Sequence, residues 1–79
     1  MVELPNLLKE FYHEKMEDDL SFMRYLQADM GKMQELREAN PDDWEMEKLT
    51  RHIIFLEAQT IEGLKGGIEN DREDLKKLG

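Results

Sequence analysis

Glu10 and His13 stand in the stretch Glu10-Phe11-Tyr12-His13 with the Glu-x-x-His spacing of carboxylate-bridged di-metal sites. On a helix that spacing sends both side chains from one face, which is how such ligands reach a shared ion. An antiparallel neighbour would bring Glu69 to their level, and a dimer would double the set. The Met and Leu residues around them nevertheless define a different inward face and leave Glu10 toward solvent, and the motif has no second copy. Solvated charge is the preferred reading, so no metal ligand and no cofactor is expected. His52 has Lys48 and Leu56 at helical spacing, neither of which can orient it as a proton-transfer base. With no cysteine there is no thiol nucleophile, thiolate zinc site or disulfide. Gly63-x-x-Gly66-Gly67 lacks the spacing and the preceding strand of a phosphate-binding loop. The chain is expected not to be an enzyme.

The charged residues narrow the partners. Nineteen acidic side chains against eleven basic give a net charge of −8, which disfavours nucleic acid, whose phosphates are bound through Lys and Arg. Acids cluster at Glu14 to Asp19, at Asp42 to Glu47 and at Glu69 to Asp74, a distribution that a mimic of the DNA phosphate track would also have. Lys15, Lys65, Arg72, Lys76 and Lys77 interleave with them, as on an ordinary solvated surface. Arg24, Lys32 and Arg51 are the cations available to hold an anion between protomers, the basis of a small-molecule-binding alternative. Six methionines, four of them on one helical face, suit either an adaptable binding surface or a plain core, and the core reading is preferred.

Helices must position these residues. Tyr12, Met16, Met23, Leu26, Met30 and Met33 follow a near-heptad row. Met46, Leu49, Ile53, Leu56 and Thr60 form a second row, and Ile54, Ile61, Ile68 and Leu75 repeat every seven residues beside it. Asn40-Pro41-Asp42-Asp43 reads as the end of one helix and the start of the next, with Asn40 as cap and Pro41 at the first helical position. His52-Ile53-Ile54-Phe55-Leu56 could form a buried strand, but it has no flanking turn signal and helix is preferred. The glycine cluster at Gly63, Gly66 and Gly67 is read as a helix break. The predicted organisation is one all-α domain over 1–79, with helix 5–38, turn 39–41, helix 42–65 and a short helix 70–78.

A short connection makes the long helices an antiparallel hairpin. With the turn centred near Asn40, Met30 faces Leu49, Met23 faces Leu56 and Met16 faces Leu64. Phe22, Tyr25, Trp44, Ile54, Phe55, Ile61 and Ile68 then lie outside the hairpin seam and form the expected interface. Two hairpins closing into a four-helix-type bundle would cover them. No run approaches the ~18 apolar residues of a membrane span, and no basic segment leads into an apolar one as in a secretory signal, so a cytoplasmic location is expected. The expected function is that of a small non-enzymatic binding or regulatory protein, working by self-association and contact with another protein. Its size would suit an accessory factor of a phage or other mobile element.

Overall fold

The computed structural model describes residues 4–78, and within them the backbone forms two helices, α1 (Leu4–Ala39) and α2 (Trp44–Leu78), antiparallel in a single hairpin. The connection lies at residues 40–43. Asn40 closes α1 rather than opening α2: its side-chain amide donates to the Leu36 carbonyl at 2.8 Å, and its backbone N–H reaches the Arg37 carbonyl at 3.2 Å. The cap of α2 is Asp43, whose Oδ1 accepts the Met46 N–H at 3.0 Å. Pro41 therefore belongs to the turn and not to the first turn of α2. The turn ends later than the sequence reading placed it.

The predicted break at Gly66–Gly67 does not occur. Helix α2 passes through Gly63, Gly66 and Gly67 without interruption, and no separate helix begins at Asn70. A glycine weakens a helix by about 1 kcal/mol relative to alanine but does not end one while packing holds both flanks. Here Ile61, Ile68 and Asp71 are buried on either side of the cluster. The segment His52–Leu56 is likewise helical.

The later turn also changes which residues meet. Lys15 reaches Asp71 at 2.8 Å, and Arg37 lies 3.8 Å from Glu47. Met30 thus lies closer in level to Leu56 than to Leu49, and the expected pairings are displaced along the rod. The seam of α2 is the row Thr50, Ile54, Glu57, Ile61, Leu64, Ile68, Asp71 and Leu75, alternating steps of four and three as a two-helix coiled packing requires. Leu26 in α1 and Ile61 and Ile68 in α2 are its buried apolar residues, and Thr50 is only 1% exposed. The Thr50 hydroxyl donates to the carbonyls of Met46 at 2.8 Å and Glu47 at 3.1 Å, which satisfies it without a partner on α1. Two rows have exchanged roles. Leu49 and Leu56, expected to face α1, are 58% and 47% exposed, while Ile61 and Ile68, expected outside, are inside.

Candidate interaction surface

At about 100° per residue, each helix carries a second heptad-spaced strip beside its seam. On α1 it runs through Phe11, Lys15, Asp18, Phe22, Tyr25, Asp29, Lys32 and Leu36. On α2 it runs through Leu49, Ile53, Leu56, Thr60, Gly63 and Gly67. A Cβ on Gly67 would stand 3.9 Å from the Lys15 Nζ, which puts the two strips on one side of the hairpin. Phe11, Phe22, Tyr25, Leu36, Leu49 and Leu56 are all exposed there, and the Phe22 and Tyr25 rings stack at 6.4 Å with 15° between planes. The opposite side carries Glu17, Arg24 and Gln27 of α1 and Glu47, Arg51, Glu62 and Lys65 of α2. Ion pairs Glu47–Arg51 and Glu62–Lys65 run along it. The first side carries the larger share of exposed apolar side chains, among the charged Lys15, Asp18, Asp29 and Lys32, and the second is mainly charged, with Leu20, Trp44 and Phe55 exposed among the charges.

Two carboxyl sites lie between the seam and the apolar side. Asp71, 6% exposed, is held by Lys15, which also lies 3.4 Å from Asp19. The Asp71 hydrogen bond raises the Lys15 ammonium above its usual range, opposed by burial and assisted by Asp19. One turn away, the Asp74 carboxylate and then burial raise the Tyr12 phenol. The second site is unbalanced. Both oxygens of Glu57 are buried with no hydrogen-bond partner among the described residues. Burial, and after it the neighbouring Asp29 carboxyl, push the Glu57 carboxyl above its ordinary range.

The expected interface residues separate into three groups. Phe22 and Tyr25 lie on the apolar side. Ile61 and Ile68 are buried within the hairpin and half-buried Ile54 shares their row, so these three are not left over for a partner. Trp44 and Phe55 are exposed at 64% and 57% but point away from the apolar side, Trp44 with the Lys48 ammonium 4.6 Å above its ring. Leu49, Ile53 and Leu56 are expected in the hairpin seam, and Phe11 and Leu36 are not among the expected interface residues. Their signal was present as heptad spacing, but two parallel rows on α2 competed for the seam.

The candidate ligands do not converge. Glu10 and His13 are exposed on α1, and among the described residues no group of three His, Asp or Glu side chains is placed to hold a metal. His52 is exposed in a shallow groove with Lys48, Arg51 and Phe55. Arg24 and Lys32 are exposed, and Arg51 is tied to Glu47. Among the described residues no helix is long and apolar enough to cross a membrane. No protein-family model, curated protein or solved structure matches the chain.

Proposed function

We propose that this chain is a small, acidic, non-enzymatic binding protein that works by protein–protein contact through the apolar side of its hairpin, self-association included. One observation carries the reading. Among the described residues, three apolar side chains are buried, while Phe11, Phe22, Tyr25, Leu49 and Leu56 stand exposed on one side, and their α2 neighbours Ile53, Thr60, Gly63 and Gly67 are apolar or small. An exposed apolar patch rimmed by polar and charged residues is the usual mark of an interaction surface. Among the described residues no convergent set of acid, base and nucleophile accompanies it. The test compares the wild-type chain with Leu49→Glu/Leu56→Glu, both changes lying outside the seam. Sedimentation and affinity capture with mass spectrometry should find the wild type bound to itself or to a retained protein, and the variant bound to neither while keeping its helical circular dichroism. A wild type that is monomeric and retains nothing would overturn the proposal.

A further inference from the structure

The hairpin is a rod that exposes more surface than a compact chain of its mass. The chain exposes 6261 Å², whereas a compact monomer of 9.4 kDa exposes about 5,000 Å². The radius of gyration is 18.0 Å, against about 12 Å for a compact domain of this length. The excess of about 1,250 Å² per chain belongs to the rod as a whole; a symmetric pair in which each rod gave up that much surface would bury about 2,500 Å², within the range of stable homodimers. We infer that a second copy of the chain closes the apolar side, laid face to face across it with the two loops at opposite ends. This inference rests on the interaction surface proposed above and names its occupant.

Orientation follows from charge and side-chain size. With the loops at one end, the two Asp29–Glu57 sites would share a level and gather four carboxyls, with only the Lys32 ammonium of each copy one turn away to offset them. The loop acids Asp42 and Asp43, with Glu45 in the first turn of α2, would also double up there. With the loops at opposite ends, the two-fold axis crosses the rod near Phe22, midway along α1. The carboxyl sites then stand about 20 Å apart at ~1.5 Å per residue, and Lys15 of each copy comes level with Asp29 of the other. Phe22 meets its own counterpart between the α1 helices. Between the α2 helices Gly63 meets Gly63 and Thr60 meets Gly67, small residues that let the backbones approach.

The absence of cysteine makes the arrangement directly testable by single-cysteine oxidation of the full chain. A Cβ at Gly63 has nothing within 4 Å, so Gly63→Cys should fold as the wild type does. It should oxidise readily to a linked dimer, while Ser21→Cys, exposed on the outer edge of α1, should not. Light scattering should give twice the chain mass for the wild type. Leu56→Glu should weaken association roughly a hundredfold or more, since the symmetric interface counts each side chain twice. If Gly63→Cys fails to link while a mixture of Phe22→Cys and Gly63→Cys chains does, the loops lie at one end and the orientation is overturned. A helical wild type that scatters as a monomer at high micromolar concentration overturns the second copy as occupant. If that monomer still retains another protein through Leu49 and Leu56, the binding-protein reading survives it.

Discussion

Glu57 is the residue whose chemistry is least at ease in the hairpin. Its carboxyl is buried without a partner and lies beside Asp29, so the charged form is the costly one and its folded-state pKa is raised. A carboxyl with a raised folded pKa holds its proton more tightly folded than unfolded. Its contribution to stability is complete below the unfolded pKa and is lost as pH rises through the folded value. Melting temperature is therefore expected to rise as pH falls from 7 toward 5. Glu57→Gln keeps the shape and removes the charge, so it should stabilise the chain at pH 7 by about 1 kcal/mol. It should also flatten the acid-side gain in a circular-dichroism melt series. A variant that melts with the wild type at every pH would mean that Glu57 carries no such cost.

At the scale of the element, α2 is a long helix that tolerates three glycines. Gly66 is exposed on the side away from the apolar strip, and a Cβ there has nothing within 4 Å. Replacing it with alanine lowers the conformational entropy of the unfolded chain and touches nothing in the folded one. Gly66→Ala should therefore raise stability by about 0.5–1 kcal/mol, seen as a higher melting temperature with unchanged helix content at saturation. A helix broken at Gly66–Gly67, as the sequence alone suggested, would instead lose stability when its left-handed cap residue was replaced. The sign of the change separates the two structures.

For the molecule as a whole, the seam and the apolar side have different jobs, and one pair of substitutions distinguishes them. Ile61 is 7% exposed between the helices, so Ile61→Glu places a charge inside the hairpin with no cation facing it. Its cost is about 3 kcal/mol or more, enough to abolish the helical circular dichroism of a chain with so small a core. Leu56→Glu, on the exposed side, should change mass in solution before it changes helix content. If the two variants behave alike, with both helical and both dissociated, then Ile61 belongs to the intermolecular surface after all.

All-helical character, the division of the chain near Asn40 and the antiparallel hairpin were legible in the amino-acid sequence, because heptad spacing and turn chemistry are local properties. The wealth of apolar side chains beyond what one seam can cover was legible too. Which row of α2 faces α1 was not. Met46, Leu49, Ile53 and Leu56 make the stronger apolar stretch, yet their row runs on into Thr60, Gly63, Gly67 and Asn70, which carry too little apolar side chain to fill the space beside the large residues of α1. The row through Ile54, Ile61, Ile68 and Leu75 stays apolar to the end of a 35-residue helix, and the seam follows the row that can be filled along its whole length. Choosing it depends on α2 passing its glycines unbroken and on Asp43, not Asn40, capping it. The first depends on contacts between the helices, Lys15 reaching Asp71 and Ile61 and Ile68 buried on either side of Gly66, while the cap is a local bond from the Met46 N–H to Asp43. Local sequence signals set the elements, and the packing of one against the other decided which apolar face remained outside.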